Sequence, residues 1–335
     1  MKTYLGRFSV TAILASALFS AGTHAQGGSN EFVVSGAAAE ATLDATSINL
    51  ATARAIGDRC VELAEERGVA ISVYVLDSSG NNVYVHRMDG QVWTNVATAE
   101  MKALTAYRLR APSKSQMNRA TRNVNEEWTG MELGLFSNAG GLPIIVDDQL
   151  IGAIGIGGSA PRLNEGWSDE ICAHQAMNEV IGQQPELLED LPRSRPEDQI
   201  PTAQFATESA PEATLPPEFV VSGAAARRLM DANQISASAA TAISAGCREW
   251  ISGRGDSATI AVIDNTGLAV HIERMDGQMP LNSQTSLAKA ETALRGRGLT
   301  SSREAGAHNN PGGFPRSVPL FNFHSRAGGV PVVVD

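Results

Sequence analysis

From Ser47 to Arg67 the apolar positions Ile48, Ala51, Ala55, Ile56, Cys60, Leu63 and Ala64 recur at spacings of three and four. That period predicts an amphipathic helix with Ser47 near its N-cap and Gly68 as its stop. Val69 to Asp77 then alternates and is rich in β-branched residues, and Ser78-Ser79-Gly80-Asn81 turns the chain into Val83 to Arg87, the pattern of a β-hairpin. Thr94 to Arg108 is Ala-rich and reads as a second helix, carrying Lys102. Residues 112–139 are polar and predict at most one or two short helices. Pro143 to Asp147 and Gln149 to Gly157 form a second hairpin through Asp147-Asp148, and a helix from about Glu165 to Ile181 closes the pattern.

The pattern is then written again. Arg87-Met88-Asp89-Gly90-Gln91 returns as Arg274-Met275-Asp276-Gly277-Gln278, 187 positions later, and the same offset carries Glu31–Ala39 onto Glu218–Ala226, Cys60 onto Cys247, Asp77 onto Asp264 and Lys102 onto Lys289. With one inserted residue, Gly140–Asp147 meets Gly328–Asp335. A period this long means tandem domains rather than solenoid repeats of about 20–50 residues. The expected organisation is a first module over 31–182, a linker over 183–217 and a second module over 218–335. The linker holds seven prolines, seven acidic residues and two arginines, a stiffened and solvated composition that lets the modules fold back on each other as an intrachain pseudo-dimer. The second copy shows no counterpart of the hairpin-mate strand or of the closing helix, so an apolar strand is left with an open edge. Either the sequence is a fragment or another chain supplies the strand.

Composition narrows the function. The 335 residues are 43% hydrophobic with a formal net charge of −10, which argues against nucleic-acid or anionic-lipid partners because these select a basic surface. Residues 1–25 read as a signal peptide: Lys2 and Arg7 precede an apolar stretch, and Thr23-His24-Ala25 offers small residues at a cleavage point before Gln26. The mature chain is therefore expected in the periplasm or secreted, with no membrane span. Of three cysteines, Cys60 and Cys247 are repeat equivalents while Cys172 occurs once. If Cys60 pairs with Cys172, Cys247 is left alone; the other arrangement is three buried thiols.

Taken in order, Val73 to Asp77, His86-Arg87-Met88-Asp89-Gly90, Lys102-Ala103-Leu104-Thr105-Ala106, Gly140-Gly141-Leu142-Pro143-Ile144 and Gly152-Ala153-Ile154-Gly155 resemble the GlcG/HbpS family of small haem-binding proteins, a domain type also found at the C-terminus of PduO-type proteins. Four of these stretches recur in the second copy, at Ile260 to Asp264, Glu273 to Gly277, Lys289 to Ala293 and Gly328 to Val332. The resemblance implies an α+β fold of two modules, each an antiparallel sheet of two β-hairpins flanked by helices. It also implies oligomerisation and the binding of haem or a small anionic ligand, in haem handling or redox sensing. His86 aligns with Glu273 and His324 with Phe136, so two equivalent histidine-ligated haem sites are not expected.

His86, at the end of a strand, and His324, in a Gly/Pro/Asn-rich loop with Phe314, Phe321 and Phe323, are the candidate iron ligands, against ordinary roles as strand and loop residues. Arg87, Asp89 and Lys102, with Arg274, Asp276 and Lys289, offer charges that clamp a carboxylate or haem propionate, against the alternative of Asp–Arg or Asp–Lys pairs pinning a turn. A second reading is an exported enzyme for a small carbonyl or carboxylate compound, with Asp89 as acid/base and Lys102 or Arg87 holding the substrate. A third is a structural pairing module. Gly155-Ile156-Gly157-Gly158 mimics a dinucleotide fingerprint, but no second βα unit follows it, and close helix–sheet packing is the expected role of its glycines. No zinc-type cluster, nucleophile elbow or P-loop is present in the sequence.

Overall fold

The computed structural model describes residues 46–159, 166–191, 234–309, 324 and 326–333. The leader, the Glu31–Ala39 stretch and its copy, the phenylalanines around 314–323 and most of the linker lie outside these residues. The described residues belong to one compact unit, 46–335.

The first module runs α1 (Leu50–Glu65), β1 (Ser72–Asp77), β2 (Asn82–Arg87), α2 (Trp93–Leu109), α3 (Lys114–Arg122), α4 (Val124–Glu132), β3 (Gly141–Val146), β4 (Gln149–Gly157) and α5 (Asp169–Ile181). The second runs α6 (Ala237–Ser252), β5 (Thr259–Ile263), β6 (Ala269–Arg274), α7 (Leu281–Gly296) and α8 (Thr300–Asn309). Helix α1 starts later than its periodicity suggests because Asn49, not Ser47, is the cap: its side-chain oxygen accepts the Thr52 N–H at 2.8 Å. Asp147 and Asp148 both adopt positive φ, the conformation that a two-residue hairpin needs to match the twist of its strands.

The architecture is α+β, and the two hairpin sets join into one six-stranded antiparallel sheet in the order β3-β4-β1-β2-β6-β5. Period-two alternation assigns the faces. Val73 and Val75 of β1 point to one core with Ile56, Cys60 and Leu63 of α1 and Cys172 and Met177 of α5. Tyr74 and Leu76 point to the other, with Val96, Ala99 and Ala103 of α2 and Ile272 from β6. A disulfide joins Cys60 to Cys172 with their Cα atoms 5.5 Å apart, tying α1 to α5, and Cys247 is a free, exposed thiol. The glycines of β4 serve packing: a Cβ on Gly155 would lie 2.1 Å from the Ala99 carbonyl oxygen, so α2 can approach only a bare backbone there. Among the described residues no helix is long and apolar enough to cross a membrane.

Among the described residues the second module contributes one hairpin to the sheet rather than two. Gly328–Val333 is held where β3 sits in the first module but has no ladder partner among the described residues. Among the described residues the outer edge of β5 is likewise unpaired.

Candidate functional site

The modules meet where β2 pairs with β6, placing Tyr84 opposite Glu273, Val85 opposite Ile272 and His86 opposite His271. The repeat offset makes Val85 and Ile272 equivalents, so a pseudo-two-fold axis passes between them. Each residue of the repeated five then performs the same task in both copies. Arg87 Nη1 donates to Asp264 Oδ2 at 2.7 Å, and Arg274 Nη1 lies 2.6 Å from Asp77 Oδ2, both pairs buried between modules. Although burial opposes its charge, hydrogen bonds from Thr266, Arg87 and the Leu268 N–H hold the Asp264 carboxyl below its usual range. Asp89 Oδ1 accepts the Ala237 N–H at 2.8 Å and Asp276 Oδ1 accepts the Leu50 N–H at 2.9 Å, so each module caps the first helix of the other. The methionine sulfurs accept from the N–H groups of Ile71 and Ala258, the glycines supply positive φ, and the glutamine amides donate to the carbonyls of Ala70 and Ser257.

The clamp expectation gives Arg87 and Arg274 a ligand carboxylate; the structure gives them Asp264 and Asp77. Asp89 and Asp276 are likewise engaged as helix caps rather than aimed at a substrate, so the acid/base role expected of Asp89 has no geometric support here. Lys102 is buried and donates to Asp169 Oδ2 at 2.6 Å and to the Ile156 carbonyl at 3.0 Å, while burial pushes the Asp169 carboxyl up against the pull of that lysine. Lys289, its equivalent, has no carboxylate partner among the described residues.

His86 and His324 are not brought together. His324 sits beside α7: its N–H donates to Thr292 Oγ1 at 2.7 Å, its Nδ1 accepts the Arg326 N–H at 3.2 Å, and partial burial with Lys289 and Arg326 nearby lowers its pKa. His86 lies at the module junction in a polar row that faces α1 and α6. Its ring stacks 6.4 Å from Tyr84 and meets His271 edge to face. Tyr84 donates its hydroxyl to Asp58, and a Cβ on Gly57 would strike the Tyr84 ring, so α1 lets the ring pass under it. His271 Nε2 lies 3.1 Å from Glu273 Oε1, so the imidazole donates through Nε2 and its Nδ1 is left as a bare acceptor. The Nδ1 atoms of both His86 and His271 are buried without a partner. Burial lowers both histidine pKa values, that of His271 to about 3, with the charges of His86, Arg54 and Arg248 adding to the effect.

Glu273 is fully buried yet reached by two guanidiniums, Arg54 from α1 and Arg248 from α6. Two cations share that one carboxylate. Both arginines, each 28% exposed, line a 540 Å³ cleft between the modules together with Leu50, Gly255, Ser257 and Met275, while Asp256 and Asp276 stand at its wall. That size suits a small organic ligand. Arg54, Arg248, His271 and Glu273 were not singled out by sequence, because their counterparts Thr241, Val61, Tyr84 and His86 differ and the comparison of copies favoured identities. The signal available was His271-Ile272-Glu273, two polar residues on one face of an otherwise apolar strand. Among the described residues no group of three or more His, Cys, Asp or Glu has metal-site geometry.

The family model "Haem degrading protein HbpS-like" matches residues 48–178 and 235–335. Protein GlcG of Escherichia coli K12 is 38% identical over 101 residues, 30% of this chain and 73% of the relative. Among solved structures, a double mutant of Streptomyces reticuli HbpS is 28% identical, covering 45% of this chain and 97% of its own, with a TM-score of 0.37. Klebsiella pneumoniae protein ORFY is 22% identical, covering 45% and 100%, with a TM-score of 0.38. A PduOC:heme complex is 20% identical, covering 42% and 100%, with a TM-score of 0.37.

Proposed function

The chain belongs to the HbpS-like haem-degrading protein family, and from that premise we propose that it binds haem or a similarly small anionic ligand in the cleft between its modules. The observation that carries the reading is the sharing of one buried carboxylate, Glu273, by Arg54 and Arg248 at the cleft wall. A guanidinium presents a planar fork of five N–H donors, more than one shared carboxylate engages, so the donors that Arg54 and Arg248 turn to the cleft suit a ligand carboxylate such as a haem propionate, beside the acidic Asp256 and Asp276. The donors fit an iron porphyrin in kind: Arg54 and Arg248 would hold the propionates, and the thioether of Met275, which lines the cleft, would meet the iron on giving up the Ala258 N–H that it accepts here. His86 and His271 stand with the buried Glu273 row rather than in the cleft lining. Bound haem would supply an iron centre; the chain's own part is to orient the carboxylates. The leader-like residues 1–25 support export and action outside the cytoplasm.

The test is a hemin titration of the mature chain, followed by its Soret band, on the parent and on Arg54→Ala, Arg248→Ala, Met275→Ala, His86→Ala and His324→Ala. A saturable shift at one haem per chain, weakened about tenfold or more in either arginine variant, is expected. A shift unchanged in both arginine variants but lost in His86→Ala or His324→Ala would overturn the cleft as the site, and absence of any shift would overturn haem as the ligand.

A further inference from the structure

The charges around the cleft are of both signs, and burial sorts them. Arg54 and Arg248 stand at depth on the fully buried Glu273. Burial and the charge of Arg54 lower the Arg248 pKa, so this guanidinium gains from a further anion. Asp256 and Asp276 line the same cleft but are exposed. The two turns that carry them are fastened to each other: the Gln278 amide donates to the Ser257 carbonyl and to Ser257 Oγ, each at 2.7 Å, and the Met275 N–H donates to the Ala258 carbonyl at 3.0 Å. Among the described residues no basic group forms an ion pair with either aspartate. Acids and bases thus share one 540 Å³ cleft without neutralising one another.

The repeat separates the charges that serve the module contact from those that belong to the cleft. Asp276 has its counterpart in Asp89, and both cap a helix of the other module. Arg54, Arg248 and Asp256 have Thr241, Val61 and Val69 instead. Both signs are therefore present together on one side of the pseudo-two-fold axis and replaced together on the other. Among the described residues the Asp256 carboxylate accepts no hydrogen bond, so the fold itself gives it no task. Against two guanidiniums, the cleft and the group beneath it set three carboxylates, Glu273, Asp256 and Asp276. A ligand with negative charge alone gains at the arginines and loses at the aspartates, whereas one that also carries a cation gains at both.

Resting on the reading of this cleft as the binding site, we propose that it selects a small zwitterion, a carboxylate that also bears a primary ammonium group, as amino acids do. Arg54 and Arg248 take the carboxylate, and Asp256, with Oδ2 of Asp276, takes the ammonium group. Leu50 and Met275 lend apolar surface to the carbon chain. Asp256 is then the residue that decides specificity, because it tells an amino acid from the same acid without nitrogen. Asp276 contributes less selectively, since its Oδ1 is already given to the Leu50 N–H.

Leucine and 6-aminohexanoate are isomers that carry the same two charges at different spacing, and 4-methylpentanoate and hexanoate are their carbon frames without nitrogen. Isothermal titration of the intact chain at low ionic strength, where exposed charges are least screened, compares these probes on the parent and on Asp256→Asn. At least one amino acid is expected to bind about fivefold or more tighter than its nitrogen-free counterpart. Asp256→Asn is expected to lower that ratio at least about threefold, without weakening the nitrogen-free acid. No preference on the parent, a preference that Asp256→Asn leaves unchanged, or no binding of any probe overturns the proposal. The arginine variants judge the cleft separately. If Arg54→Ala and Arg248→Ala weaken the nitrogen-free acids or hemin while the amino acids enjoy no preference, the zwitterion is discarded and the cleft stands. If neither variant weakens any bound probe or hemin, both fall.

Discussion

The imidazoles of His86 and His271 meet edge to face across the two central strands, with ring centroids 5.7 Å apart. Both are held neutral, burial being the main cause, and for His271 the pKa falls from the ordinary 6.5 to about 3. The fold therefore refuses a proton that the unfolded chain accepts. Above about pH 6.5 both states are neutral and the stability is whole; as pH falls below that value, stability drops by about 1.4 kcal/mol per pH unit for His271 alone, down towards pH 3. Urea midpoints measured between pH 6.5 and 5, above most carboxylate titration, are expected to fall steeply for the parent and less for His271→Gln. Equal slopes would mean that this imidazole is protonated in the folded protein.

The inter-module ion pairs set a second expectation. Asp264 uses Oδ1 for the turn N–H groups of Thr266 and Leu268 and Oδ2 for Arg87, so removing Arg87 strands a buried carboxylate while leaving the turn intact. Arg87→Ala is expected to cost about 3–5 kcal/mol, whereas replacing both partners with apolar residues costs much less. A double-mutant cycle in denaturant reads the difference, and the Arg274–Asp77 cycle is expected to give a similar coupling.

Reduction of the Cys60–Cys172 bond releases a loop closed over a sequence separation of 112 residues. Chain-entropy reasoning puts its contribution at about 4–5 kcal/mol. A Cys60→Ala/Cys172→Ala chain is expected to unfold at markedly lower urea, while Cys247→Ser, an exposed position, leaves the midpoint where it was.

Gly155→Ala is expected to destabilise the first module by about 1–3 kcal/mol, since its Cβ would lie 2.1 Å from a helix carbonyl that cannot turn aside. Thermal unfolding measures it. A control is Gly246→Ala, where a Cβ meets nothing within 4 Å and helix propensity favours alanine.

Much of this fold was legible because one face of each element is buried, and burial writes its period into the chain. The spacing of Ile56, Cys60 and Leu63 marks α1, and the alternation in Val73–Asp77 marks β1, within a few residues of their observed ends. The repeat likewise exposed the symmetry. The join between β2 and β6 was harder, because an edge has no period: its backbone groups are the same whether they face water or another strand. Identity of Arg87, Asp89, Arg274 and Asp276 across copies resembles a shared ligand clamp, yet a two-fold contact imposes the same identity, since each copy performs one task on the other. The Arg54–Glu273–Arg248 group escaped notice for the opposite reason, as it lies close to the axis where the copies diverge.

The register at that axis could not arise from two identical chains. A pair of first modules joined the same way would set Tyr84 against His86 twice, and a pair of second modules would set His271 against Glu273 twice. Covalent fusion of unlike halves permits a single histidine pair on one side of the axis and a tyrosine–glutamate pair on the other. The union is also unimolecular, so the asymmetric cleft persists on dilution, where a dimer of free modules would come apart by mass action.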